Sequence, residues 1–150
     1  MEKIANKGLV CGNWDVIHPG YLKLFNEVNN NCKQQFILLH EDPSVERPDK
    51  SKPVLSVQDR RDMLSNFFVD PVILSYNTED ELYFLIQSVD PDIRFMGEDY
   101  IGKSFTGDDL GINIHWISRA HGWSTTLYKN EIAKSINGKA HPLYFANGNE

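Results

Sequence analysis

The chain has 150 residues, the size of one ordinary domain, with 41% apolar and 24% charged residues, a balance that excludes a disordered chain. Its formal charge of −6 disfavours nucleic acid and anionic membranes as partners. Apolar runs such as Phe36-Ile37-Leu38-Leu39 fall far short of the ~20 residues a membrane helix needs, and the two cysteines, Cys11 and Cys32, make neither a disulfide framework nor a zinc site.

The predicted elements alternate. Lys7 to Cys11 reads as a short strand rich in Leu and Val. Pro19 to Asn29 has helical spacing, with Leu22, Leu24, Phe25 and Val28 apolar and proline at the first helical position. Gln35 to His40 is a second strand. Glu41 to Leu55, with three prolines and many charges, is a long exposed loop. Within and after it, Arg47, Lys50, Lys52, Arg60 and Arg61 form a basic cluster on an acidic chain, which suits either a local anion site or a solvated loop. Ser56 to Phe68 is a helix, with Asp59 three residues after Ser56 in the manner of a capping box. Val72 to Leu74 is a strand, Glu79 to Ser88 a helix and Ile93 to Met96 a strand. Val-Asp-Pro closes each of the last two helices, because proline disfavours helix in the residue before it. Tyr100 to Gly111 is a polar loop, Ile112 to Ile117 a fifth strand, and Ser124 to Ile136 the last helix.

This order predicts an α/β fold: a Rossmann-like, doubly wound sheet of about five parallel strands in a single domain over 1–136, followed by a polar tail over 137–150. The start, Met1-Glu2-Lys3-Ile4-Ala5-Asn6, lacks the apolar stretch of a secretory signal, so a cytoplasmic location is expected. Parallel sheets bind ligands at the carboxyl ends of their strands, where the strand order reverses, so the first strand-to-helix turn is the first place to look for chemistry.

That turn reads Gly12-Asn13-Trp14-Asp15-Val16-Ile17-His18-Pro19-Gly20-Tyr21. Gly12 lets backbone approach a phosphate closely. The helix opening near Pro19 points free N–H groups and its positive dipole end at the turn. His18 and Tyr21, three apart, share a helix face and can donate to triphosphate oxygens; equally, His18 can serve as a helix cap or core residue. A second block, Arg119-Ala120-His121-Gly122-Trp123-Ser124-Thr125-Thr126, opens the last helix. Ser124 and Thr125 can cap it, Thr126 and its N–H groups can face a phosphate, and Arg119 offers a planar fork to one.

The first block resembles the nucleotidyltransferases that carry G-T/S-F-D followed by H-x-G-H, and the second their R-T-x-G-I-S-T-T. The likeness is nearest to the glycerol-3-phosphate and choline- or ethanolamine-phosphate cytidylyltransferases, and it runs from about residue 8 to residue 133. Lys52 to Arg60 resembles the family's lysine loop and the entry to its central helix, and Phe95-Met96-Gly97-Glu98-Asp99-Tyr100 its segment after the fourth strand. The resemblance implies transfer of CMP from CTP, or another nucleoside triphosphate, to a phosphorylated small-molecule acceptor of the glycerol 3-phosphate, phosphoethanolamine or phosphocholine type. Mg²⁺ carried with the nucleotide and a homodimer are implied as well. His18, Lys52, Arg119 and Tyr21 become the catalytic candidates. Gly12, Asn13, Trp14, Asp15, Gly20, Lys50, Arg60, Gly97, Asp99, Trp123, Ser124, Thr125 and Thr126 become the nucleotide-binding ones.

Tyr21 departs from the pattern, since the family has its second histidine there. A phenol titrates near ~10 and donates only a neutral hydrogen bond near pH 7. Either Lys52, Arg119 or His121 supplies the missing charge, or the chain is a catalytically weakened nucleotide-binding protein. An adenylyltransferase of the same superfamily is the other alternative. A redox or flavin domain is disfavoured, because no G-x-G-x-x-G follows the first strand.

Overall fold

A computed structural model describes residues 4–138. The elements run β1 (Ala5–Gly12), α1 (Pro19–Asn31), β2 (Cys32–His40), α2 (Val57–Phe67), β3 (Val72–Tyr76), α3 (Glu79–Val89), β4 (Ile93–Gly97), β5 (Asn113–Ile117) and α4 (Thr125–Asn137), with a 3₁₀ turn at Glu98–Tyr100. The five strands form one sheet in the order β3-β2-β1-β4-β5, parallel throughout. The first two strands begin earlier than their apolar stretches suggest. Pairing starts at Ala5↔Cys32, so the ladder recruits polar residues that lie before each hydrophobic run. Of the expected tail, Asn137 closes α4 and residues 139–150 lie outside the described residues.

Local chemistry sets the helix boundaries. Ser56, Thr78 and Ser124 each accept the N–H three residues on, from Asp59, Glu81 and Leu127, at 3.0–3.1 Å. Each such cap satisfies one of the N–H groups a helix start leaves unpaired, a gain of about 1 kcal/mol. The two Val-Asp-Pro stops share one conformation: Asp70 and Asp90 have φ of 47° and 48°. Aspartate enters this left-handed region more readily than most residues, and the proline behind it keeps the chain from resuming the helix.

Alternation along β1 and β2 sorts their side chains to two faces. Val10, Ile37 and Leu39 pack with Phe25 and Val28 of α1 and Leu64 of α2. Leu9 and Leu38 pack on the other side with Leu82, Ile86 and Val89 of α3. Burying each such aliphatic side chain contributes about 1.5–3 kcal/mol, so both layers hold the sheet. Strand order reverses between β1 and β4, which opens a crevice beyond Gly12 and Gly97, the last residues of those strands. Among the described residues, no helix is long and apolar enough to cross a membrane.

Candidate active site

His18 is the N-cap of α1. Its backbone is extended, and its Nδ1 accepts the Gly20 N–H at 3.1 Å. An Nδ1 that accepts must be unprotonated, so the neutral ring carries its proton on Nε2. Burial first, then the charges of Arg119 and His121, push its pKa below the ordinary histidine value. The ring stacks on Tyr21, with centroids 4.1 Å apart and planes 18° from parallel. His18 is thus a cap, and also a neutral donor held in one orientation.

Tyr21 links the two motif blocks. Its hydroxyl shares a 2.8 Å hydrogen bond with Oγ1 of Thr125, 104 residues away in the sequence. The openings of α1 and α4 therefore meet. Beside this bond lies a cavity of about 50 Å³, bordered by His18, Gly20, Tyr21, Gly97, Arg119 and His121 among others. That space takes roughly three or four waters, or a phosphoryl group, with the remainder of a nucleotide outside it. A larger, shallower hollow of about 380 Å³ runs along Ser75, Asp80, Glu81, Phe84 and Leu85, where two carboxylates repel a triphosphate.

Glycine at position 20 leaves room for two imidazole rings. A Cβ there would lie 2.6 Å from His121 Cε1 and 2.9 Å from His18 Cε1. Gly20→Ala is expected to keep its circular dichroism spectrum, since alanine favours helix, but to displace both rings. A displacement of about 1 Å can cost ~10²-fold in rate. Full turnover in that variant would show that the two rings need not close on this position.

Arg119 borders the cavity. Its N–H donates to the Glu98 carboxylate at 2.8 Å, its Nη2 donates to the Trp123 carbonyl at 3.1 Å, and its Nε lies 3.9 Å from Asp99 Oδ1. Gly97 leaves room for this arrangement, because a Cβ there would stand 2.4 Å from Asp99 Oδ1 and 3.2 Å from Arg119 Cδ. Trp123 lies nearly parallel to His18 at 6.1 Å, and Ser124 caps α4. Thr126 is exposed on the first turn of that helix.

Three expected nucleotide contacts are buried instead. Trp14, 2% exposed and at φ 54°, packs its ring against Tyr21 and Phe25. Arg60, 1% exposed, spends its guanidinium on the carbonyls of Asn13, His40, Glu41, Leu55 and Ser56. It braces the first turn, the end of β2 and the start of α2 together, with four of its five N–H groups engaged and almost none of the side chain exposed. Asp15 is fully buried. It accepts the N–H groups of Val54 and Leu55, each at 2.8 Å, and pairs with Lys129 of α4. Burial pushes its pKa up, but Lys129 and the two backbone donors outweigh that and hold it below the usual carboxylate value. Fully buried, with both oxygens engaged and outside the cavity lining, Asp15 holds the loop to the first turn. The loop that it anchors carries Lys50 and Lys52, both exposed and outside the cavity lining.

Sequence reasoning missed Lys129. Nothing in its helical surroundings marks it as the partner of a buried carboxylate. Among the described residues, no group of three or more His, Cys, Asp or Glu is placed to hold a metal ion.

The cytidylyltransferase-like family model matches residues 9–132. The bifunctional protein HldE of Hyphomonas neptunium is 29% identical over 137 residues, which is 88% of this chain and 27% of that protein. HldE of Campylobacter jejuni is 34% identical over 128 residues, 83% of this chain and 27% of its own length. The chain thus spans about a quarter of the length of these curated relatives. Among solved structures, the fold is similar to a lipopolysaccharide core biosynthesis protein from Thermoplasma volcanium, with a TM-score of 0.56 and 18% identity over 76% of this chain and 95% of that one. It is also similar to the pantoate-beta-alanine ligase of Francisella tularensis complexed with beta-gamma ATP and beta-alanine, with a TM-score of 0.54 and 14% identity over 88% of this chain and 70% of that one.

Proposed function

The chain belongs to the cytidylyltransferase-like family, and from that premise we propose that it is a cytoplasmic, homodimeric nucleotidyltransferase, with residues 1–136 as its transferase domain. It joins the nucleotidyl group of a nucleoside triphosphate, CTP by the likeness of its motifs, to a phosphorylated small alcohol and releases pyrophosphate. The observation that carries this reading is the 2.8 Å bond between Tyr21 and Thr125, which sets the openings of two helices around one cavity.

An oxygen of the acceptor's phosphate attacks the α-phosphorus in line. The new P–O bond forms as the bond from the α-phosphorus to the bridging oxygen breaks, and pyrophosphate leaves with that electron pair. Such transfers need positioning and charge stabilisation more than covalent chemistry. His18 donates from Nε2, Arg119 supplies delocalised positive charge, and the free N–H groups at the starts of α1 and α4 receive phosphate oxygens. Mg²⁺, arriving with the nucleotide, would neutralise phosphate charge when bound.

A second reading, transfer of AMP from ATP, is favoured by the names of the relatives, which are not those of the cytidylyltransferases, and by the fold neighbour complexed with beta-gamma ATP. Pyrophosphate release measured with CTP and with ATP, each against glycerol 3-phosphate, phosphoethanolamine, phosphocholine and sugar phosphates, decides between them. Release with CTP and one acceptor is the expected result. Release with ATP alone selects the second reading. No release from any pair, while nucleotide still raises the melting temperature, leaves a binding protein that has lost catalysis through Tyr21.

A further inference from the structure

We propose that His121 does the work of the histidine that position 21 lacks: it reaches the cavity from the loop before α4, and its Nε2–H contacts the departing pyrophosphate beside His18. This rests on the nucleotidyltransferase reading.

The two imidazoles are held alike. His121 Nδ1 accepts the N–H of Trp123, two residues on, at 2.9 Å, as His18 Nδ1 accepts that of Gly20 at 3.1 Å. In each neutral ring the proton is then on Nε2. The rings converge on Gly20 from segments about a hundred residues apart: a Cβ built there would lie 2.6 Å from His121 Cε1, 3.0 Å from His121 Nε2 and 2.9 Å from His18 Cε1. Both border the same cavity as Arg119.

Tyr21 is occupied otherwise. Its hydroxyl is joined to Thr125, and burial raises its pKa, so it remains a neutral phenol. Its contribution is to hold two helix openings together. The position that sequence comparison marks as the second donor has become a structural tie, and a histidine from the other block stands next to it.

The surroundings suit an anion. Burial, Arg119 and Lys23 all press His121 toward its neutral form, and burial, Arg119 and His121 press His18 the same way. Two carboxylates meet Arg119: Asp99 Oδ1 is 3.9 Å from its Nε, and Glu98 Oε1 accepts its backbone N–H at 2.8 Å. A triphosphate entering here meets two fixed, neutral Nε2–H donors beside the Arg119 guanidinium, a preorganised arrangement that stabilises developing charge.

The informative variant is His121→Asn, because an asparagine oxygen can still accept the Trp123 N–H and keep the turn. It is expected to lower kcat about 10²–10³-fold, the usual cost of one preorganised donor to a developing charge. A binding readout needs no turnover: in thermal-shift titrations the variant should lose stabilisation by the triphosphate and keep that by the matching monophosphate. If His121→Asn keeps wild-type turnover and triphosphate stabilisation, His121 is only a turn residue. If the wild-type protein itself responds to no nucleoside triphosphate, the failure belongs to the nucleotidyltransferase reading instead.

Discussion

His18→Asn should lose about 10²–10³-fold in turnover while its stability to urea changes by less than about 1 kcal/mol. The two effects separate because the two nitrogens of His18 do different things. Nδ1 accepts the Gly20 N–H and so starts α1. Asparagine is among the preferred residues at such a position and can accept the same bond through its side-chain oxygen. The Nε2–H has no counterpart in asparagine, so a donor to the developing phosphate charge disappears. Alanine would confuse the result, since it removes the cap along with the donor. The pH profile offers a second check. Because burial, Arg119 and His121 lower the His18 pKa, the neutral ring persists to a pH below the ordinary histidine value. Protonation there would also end the acceptor role of Nδ1. The acid limb that His18 contributes to kcat/KM is therefore expected below ~6.5, and it should be absent in His18→Asn. A variant that keeps both full rate and that limb would reduce His18 to a cap.

The order of strands and helices was legible because each boundary has a local cause. Serine and threonine caps, the Val-Asp-Pro stops and the change of apolar period act over three or four residues, and those can be read one segment at a time. The meeting of the two blocks was legible only through resemblance, since the Tyr21–Thr125 bond joins positions 104 residues apart. What escaped was the division of charged residues between ligand and scaffold. Arg60 looks like a phosphate contact in a basic cluster, yet five carbonyls from three segments surround it once the chain folds. Trp14 stands among the nucleotide-binding candidates that the resemblance implies, yet its left-handed backbone turns the ring inward against Tyr21 and Phe25. For Arg60 the carbonyls of Asn13, His40 and Glu41 lie 19–47 residues away and carry no motif, whereas Trp14 turns onto Tyr21 and Phe25 of the helix that follows it.

Asp15 gives that division its sharpest test, because resemblance puts it beside the nucleotide and the structure puts it inside. Asp15→Ala should destabilise the domain by about 3–5 kcal/mol, the range for removing one partner of a buried ion pair. Domains of this kind are stable by ~5–15 kcal/mol, so the loss is a large share of the whole. Two further donors, the N–H groups of Val54 and Leu55, lose their acceptor in the same step. The loop carrying Lys52 is then free at its anchored end, and α4 loses the contact that Lys129 makes with the first turn. Asp15→Asn should fall between, because its one amide oxygen can satisfy one of the three donors. The pH dependence has a definite sign. A carboxylate whose native pKa lies below its unfolded value of about 3.9 contributes its full stability above that value and loses it as pH falls through the native one. Urea melts from pH 7 down to pH 2 should therefore show a smaller acid-induced decline in Asp15→Asn than in the wild type. A nucleotide ligand would behave differently: its removal would leave the urea midpoint of the free protein nearly unchanged and weaken only the added stabilisation by CTP or ATP. An unchanged midpoint in Asp15→Ala would return this residue to the nucleotide side of the ledger.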